Sequence, residues 1–407
     1  MKSGWKVTSL DQACLFSNGL WKGEKPPFRH VGVIRNTNFN KEGTLDASDI
    51  AYLDVEAKKL EKRRLRFGDI ILEKSGGGPK QPVGRVALFD IEDGDFSFSN
   101  FTAALRVVDP SELDFRFLHK FLYWSYISGV TEKMQSHSTG IRNLDGDAYK
   151  AIKVPLPPLA EQQRLVGILD EAFEGIATAK ANAEKNLDNA RALFNSHLNS
   201  VFTQRGDGWV ERGTSLDALC DLIVDCEHKT APTQDEGIPS IRTPNIGMGS
   251  LLLDGVYRVS EATYREWTQR AEPRPGDLIL AREAPAGNVA VIPANLRVCL
   301  GQRTVLIRPR AAVFDSPFLA LLLLSPVVRH RLLGHSRGAT VQHVNMKDIR
   351  GLDVGAFPSL AAQRDIVSQM AALSSQGDIL GAIYNRKIAA LDALRNSLLH
   401  QAFTGAL

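Results

Sequence analysis

The chain has 407 residues, of which 43% are hydrophobic, 23% charged and 7% aromatic. That length suits several domains with cores large enough to need no disulfide or metal staple. Its 49 basic and 46 acidic residues leave a formal net charge of +3, which excludes a polycation but not a basic face balanced by acid elsewhere.

The chain opens on Met1-Lys2-Ser3-Gly4-Trp5-Lys6, with no apolar run ahead of a small-residue cleavage site. The longest apolar stretch, 318–328, contains Ser325 and Pro326 and falls far short of the roughly 20 residues a membrane-spanning helix needs. A cytoplasmic protein is the expectation, with no membrane partner. Cys14, Cys220, Cys226 and Cys299 match no paired zinc spacing, so reduced, buried thiols are expected.

In chain order, residues 1–157 show short β-like runs at 69–72, 85–89 and 103–108, with a helical patch at 112–127. Residues 159–203 lack proline and repeat apolar or small residues at three- and four-residue steps, including Val166, Leu169, Phe173, Ile176, Leu187, Phe194 and Val201. Lys180 and His197 interrupt that stripe. Residues 204–358 return to short runs at 278–281, 289–292 and 304–308, with a helical patch at 316–333. Residues 359–407 again read as a long helix, with Ile366, Met370, Leu373, Leu380, Tyr384, Leu391, Leu394 and Leu398 on its stripe and Gly377 and Gly381 in its middle. Pro155, Pro157 and Pro158 stop the chain before the first helix, and Pro358 before the second.

The second half repeats the first. Thr8-Ser9-Leu10-Asp11 returns as Thr214-Ser215-Leu216-Asp217, and Gly68-Asp69-Ile70-Ile71-Leu72 as Gly276-Asp277-Leu278-Ile279-Leu280. Ile34-Arg35-Asn36-Thr37-Asn38 is echoed by Ile241-Arg242-Thr243-Pro244-Asn245. Leu159-Ala160-Glu161-Gln162 matches Leu360-Ala361-Ala362-Gln363, and the block 195–203 matches 396–404. The fold class expected is α+β: two globular domains, 1–157 and 204–358, joined and separated by two long antiparallel coiled-coil helices under a pseudo-twofold axis. An isolated helix of about 45 residues would leave its apolar seam exposed, and pairing the two closes it. Two unlike heads on one such frame suit a partner with its own local twofold symmetry, and duplex DNA is one.

The block Pro155-Leu156-Pro157-Pro158-Leu159-Ala160-Glu161-Gln162-Gln163-Arg164-Leu165-Val166 resembles the central conserved region of the specificity (S) subunit of Type I restriction-modification systems. The ending Leu391 to Gly405 resembles that family's distal conserved region. The likeness spans essentially the whole chain; Ala362, where the family usually has Glu, and the two glycines of the second helix are departures. The resemblance implies a non-catalytic subunit with two target-recognition domains, each reading one half of a bipartite double-stranded DNA site. It also implies two modification (M) subunits, which methylate adenine at N6 with S-adenosylmethionine, and restriction (R) subunits that use ATP. Two other readings stand beside it: a DNA reader in a related phage-defence methylation system, and a coiled-coil scaffold whose heads bind protein.

Base reading needs paired donors and acceptors, and phosphate holding needs Lys, Arg, hydroxyls and free N–H groups. In the first domain the candidate DNA contacts are Lys22, Arg35, Asn36 and Asn38, the glycine loop residues Lys74, Ser75, Gly76, Lys80 and Gln81, and Ser138, Thr139 and Arg142 ahead of the helix. In the second they are His228, Lys229, Arg242, Thr243, Asn245, Arg282, Arg337, Thr340, Gln342 and His343. An asparagine in such a loop also serves simply to cap a turn. The basic run 58–66 reads either as a solvated helix or as a phosphate-tracking surface. No nucleotide-binding P-loop, nucleophile elbow, His-Glu-x-x-His or Asn/Asp-Pro-Pro-Tyr/Phe run occurs, so no catalytic residue, metal or cofactor is assigned to this chain.

Overall fold

The computed structural model describes residues 4–20, 23, 25–78, 81–138, 141–334 and 343–407, the side chains of 137, 138 and 141 excepted. It divides into two compact units, one of Met1–Glu184 with Arg386–Leu407, the other of Lys185–Asn385.

The centre of the first unit is an antiparallel sheet in the order Cys14–Asn18, Thr102–Val107, Ile70–Glu73, Val86–Leu88. All four residues of Ile70–Glu73 are buried. Ile70 and Leu72 enter a core with Phe117, Leu118, Phe121 and Leu122, while Ile71 enters a second core with Ile34, Phe89 and Phe98. A strand covered on both faces has no polar alternation, which explains the continuous apolar run. A second sheet, Ala51–Glu56, Phe28–Ile34, Phe96–Phe98, closes the second core.

The second unit repeats this plan. Its main sheet runs Cys220–Asp225, Thr304–Pro309, Leu278–Ala281, Val289–Val291, with Met248–Gly249 added in parallel at the edge. Leu278, Leu280, Val305 and Ile307 face one core; Ile279, Ala281 and Leu306 face the other. The smaller sheet is Arg258–Val259, Ile238–Ile241, Cys299–Leu300. In both units a buried aspartate ties a turn to the main sheet. Asp69, 1% exposed, accepts from Arg106 at 2.6 and 2.7 Å; Asp277, 2% exposed, accepts from Arg308 at 2.7 and 2.8 Å.

The helices Leu159–Gln204 and Leu360–Thr404 are unbroken over 46 and 45 residues. Each begins with a buried glutamine that holds it to its neighbouring domain. Gln162 accepts from the Asp114 N–H at 2.8 Å and donates to the carbonyls of Glu112 and Pro157 at 2.8 and 2.9 Å. Gln363 accepts from the Asp315 N–H and donates to the carbonyls of Val313 and Pro358, all at 2.9 Å. This explains why a glutamine recurs in the matched blocks.

Both units contain antiparallel segments of the two helices. In the first, the Arg164 guanidinium meets the Leu407 carbonyl at 3.2 Å and Lys180 meets Asp392 at 3.0 Å. Lys180 is therefore an ion-pair partner at the seam. In the second, the Cβ direction of Gly377 meets the Ala190 carbonyl at 3.7 Å, and that of Gly381 meets Leu187 at 3.6 Å. The compact units cut across the boundaries expected at 158–203 and 359–407, because opposite ends of each helix enter different cores. Leu165, Val166 and Leu169 join Leu399, Ala402 and Phe403 in the first; Leu198 and Phe202 join Met370 in the second. Leu380 and Leu394 leave the expected stripe and are 39% and 48% exposed.

The patch expected at 316–333 is two helices, Ser316–Leu324 and Pro326–Gly334, bent by 66°. Phe318, Leu319, Leu322 and Leu323 fill the core. Among the described residues no single helix is long and apolar enough to cross a membrane. The four cysteines are free and buried, and desolvation pushes the thiols of Cys14, Cys220 and Cys299 up to about 12.

Candidate nucleic-acid interface

In the first unit three candidate segments come together. The short helical turn Asn36–Asn38 is closed by the Arg35 N–H donating to Asn38 Oδ1 at 2.9 Å and the Asn38 N–H donating to the Arg35 carbonyl at 2.9 Å. The Asn36 amide donates to Glu73 at 3.2 Å, and Arg85 locks Glu73 from the other side at 2.7 and 2.8 Å. Glu73 ends the central strand, so the turn is fixed to the start of the glycine loop. That loop continues as the strand Ser75–Gly77, which pairs with Ile141–Leu144; the latter pairs with Gln135–Ser138. Ser75 Oγ donates to Asn143 Oδ1 at 2.6 Å. Gly76 has φ +102° and approaches the Asn36 amide, so its lack of a side chain is required here.

The residues differ in what remains free for a ligand. Asn38 is 1% exposed and commits its amide to the Asp46 and Asp49 carbonyls at 3.3 and 3.0 Å. Its position supports a turn-holding role. Arg35 reaches the Asp49 carbonyl and carboxylate at 3.0 and 3.2 Å. Lys74 donates to Asn18 Oδ1 at 2.9 Å, and partial burial lowers its pKa. Arg142 lies near Gln135 and Glu132, at 3.4 and 3.9 Å. Gln81 is exposed, with its amide 3.0–3.1 Å from the Arg85 guanidinium when its oxygen faces that group. Lys22, Lys80 and Thr139 lie outside the described residues, as does the side chain of Ser138.

The second unit forms the same turn, Thr243–Asn245, closed by the Arg242 N–H to Asn245 Oδ1 at 3.1 Å. Asn245 also donates to the Leu252 carbonyl at 3.2 Å. Arg242 is exposed and lies 5.5 Å over the Tyr257 ring, and Thr243 is half-buried. Arg282 is tied into the fold. It is 8% exposed and donates to Asp225 at 2.6 Å and to the Val344 carbonyl at 2.9 Å. Its third partner is His343 Nε2 at 3.1 Å, while His343 Nδ1 meets Glu283 at 2.7 Å. A neutral imidazole satisfies both, accepting from the guanidinium and donating to the carboxylate. Arg282 is thus a buried brace. His228 pairs with Asp225 at 3.2 Å and stays largely exposed, as does Lys229. Arg337, Thr340 and Gln342 lie outside the described residues.

The basic run 58–66 forms the helix Ala57–Arg63, whose Leu60 is 1% exposed. Arg63 donates to the Asn18 carbonyl at 3.0 Å and Arg64 pairs with Asp95, so part of the run is committed to the fold. Sequence reasoning missed Glu73, Arg85, Asp225 and Glu283, which shape the loops from behind. Among the described residues no group of three or more His, Cys, Asp or Glu side chains could hold a metal ion.

The family model described as "Type I restriction modification DNA specificity domain" matches residues 2–187. The chain is 23% identical to the EcoBI specificity subunit of Escherichia coli, over 77% of this chain and 72% of that protein. It is 24% identical to the EcoKI specificity subunit of Escherichia coli K12, over 100% of this chain and 90% of that protein. A chain solved in work on complex assembly and conformational transition of the type I R-M system superposes with a TM-score of 0.76 at 21% identity, covering 100% of this chain and 99% of that one. The last likeness speaks for the fold, and the repeat and the paired helices agree with it: the chain is similar, in its first half by the family model and along its length by its sequence relatives, to the specificity subunits of Type I restriction enzymes.

Proposed function

We propose that this chain reads a bipartite double-stranded DNA sequence, one half through residues 1–157 and the other through 204–358. It recruits two M subunits, which supply adenine-N6 methylation, and R subunits, and works in the cytoplasm. It contributes recognition and no chemistry. The observation that carries this reading is a shared frame bearing unlike surfaces. Both units keep the capped turn, the buried Asp–Arg pair and the glutamine clamp. The polar groups around the turns differ, with Arg35 held on Asp49 in one and Arg242 over Tyr257 in the other. The boundaries at 158–203 and 359–407 are read as the spacer element, whose helix length sets the gap between the half-sites.

The test is selection from a random duplex pool by the chain assembled with its M partner. Enrichment of two short motifs at one fixed gap supports the reading. No enrichment, or one uninterrupted motif, contradicts it.

A further inference from the structure

In the second unit a pocket of about 240 Å³ opens beside the capped turn, lined by Thr230, Thr233, Ser240, Arg242, Tyr257 and Gln302 among others. None of its lining residues is acidic. Ser240 is 3% exposed and its hydroxyl makes no hydrogen bond among the described residues, while its backbone N–H donates to the Tyr257 carbonyl at 2.8 Å. The hydroxyls of Thr230 and Thr233 also have no partner there. Thr230 and Thr233 are exposed, so their hydroxyls and that of Ser240 are donors free to meet a ligand in this space. Gln302 commits its Nε2–H to the His228 carbonyl at 3.3 Å and forms the rim.

The positive charge is placed. Arg242 lies over the Tyr257 ring, which holds the guanidinium without neutralising it. Gly301 makes room for it: a Cβ there would stand 2.6 Å from Arg242 Cγ. Lys229 and His228 adjoin Thr230 in sequence and are exposed.

The corresponding place in the first unit lacks this chemistry. Thr102 and Thr304 each donate to the carbonyl three residues before, at 2.8 Å, which matches Asn100 with Gln302. The capped turns match Arg35 with Arg242 and Val33 with Ser240. Val33 replaces the free hydroxyl, and Arg35 is taken by Asp49.

The geometry points to this pocket as a seat for one backbone phosphate of the DNA at the half-site read by the second domain. The inference rests on the DNA-reading function proposed above and deepens it. Hydroxyls and a guanidinium with no acid nearby suit a phosphate, and the volume is below that of a small-molecule pocket. Such a contact fixes the register of the second domain on the duplex without itself reading a base. Arg242 binds, and Tyr257 is a positioning residue.

The test measures affinity of the full chain with its M partner for duplexes carrying the selected motif and for scrambled duplexes, between about 50 and 200 mM salt. Arg242→Gln should weaken binding about tenfold at low salt, equally on both sequences, and lower the log–log salt slope by about 1. The double change Thr230→Val with Thr233→Val should weaken binding with the slope unchanged. Replacing one phosphate of that half-site by methylphosphonate should erase the difference between wild type and Arg242→Gln. Unchanged affinity and slope in Arg242→Gln, or an altered base preference at one position, overturns the phosphate seat while the DNA reading stands. A wild-type complex that selects no split motif overturns the DNA reading, and the seat with it.

Discussion

The two units place equivalent residues, 201 positions apart in sequence, around equivalent spaces, with charged side chains in one and uncharged ones in the other. In the first unit His119, Lys120, Asp170, Phe173 and Arg395 are among the residues lining a cavity of about 610 Å³ that carries several charged side chains. In the second the same positions are Ala320, Leu321, Ala371, Ser374 and Phe194, lining an apolar one of about 290 Å³ with Met248 and Met370. The first seam is cross-tied: Lys120 pairs with Asp170 at 2.5 Å, Arg395 donates to Tyr123 Oη at 2.6 Å, and His119 Nε2 donates to the Gly43 carbonyl at 2.8 Å. The second rests on van der Waals contact. One frame accepts either seam because the backbone is fixed elsewhere, by the glutamine clamps and the buried Asp–Arg pairs. Once position is set by those groups, the contact between head and helix is free to diverge.

The largest expected effect breaks the shared frame. Gln162→Ala and Gln363→Ala each leave one N–H and two carbonyls without their side-chain partner, and each should cost about 3 kcal/mol in urea unfolding. A loss confined to one of the two would show that the clamps are not equivalent.

The next separates the seams by pH. Burial, reinforced by the Lys120 charge, lowers the His119 pKa from 6.5 to about 4. Below pH 6.5 the unfolded chain binds a proton that the folded chain refuses, so stability falls as pH drops and levels off below about 4. The slope is about 1.4 kcal/mol per pH unit, or about 3 kcal/mol in all. Ala320 gives the second unit no such term. His119→Gln should flatten the acid limb of the stability profile; an unchanged limb contradicts the assignment.

Arg395→Phe places in the first seam the residue the second has at that position, Phe194. It removes a charge-assisted bond to a nearly buried tyrosine and should cost about 2 kcal/mol. A neutral result would mean that the cross-ties contribute nothing. The smallest effect is a gain. Gly377 and Gly381 lie in unbroken helix with ordinary contact distance to any added Cβ, so Gly377→Ala and Gly381→Ala should each raise stability by about 1 kcal/mol in thermal unfolding.

The frame was legible because its signals are local or periodic. Strands buried on both faces give runs such as Ile70-Ile71-Leu72, and the matched blocks fall on the pieces that fix the backbone: the turns, Asp69 and Asp277, Gln162 and Gln363. Pro326 lacks an N–H and starts a new helix, whereas the sequence around it reads as one helical patch. The interface was less legible. Arg282 and Asp225 are 57 residues apart in sequence, and no spacing rule distinguishes a brace from a ligand-facing arginine. Asn38 and Asn36 sit in one turn, but one is buried beneath it and the other faces the loop it supports. Only the three-dimensional partners tell them apart.

The most direct test of the account exchanges residues 1–150 for the first domain of another family member and repeats the duplex selection with the M partner. The account predicts that one half of the selected sequence changes while the other half and the gap are retained. If both halves change together, or neither does, the assignment of one half-site to each domain is contradicted.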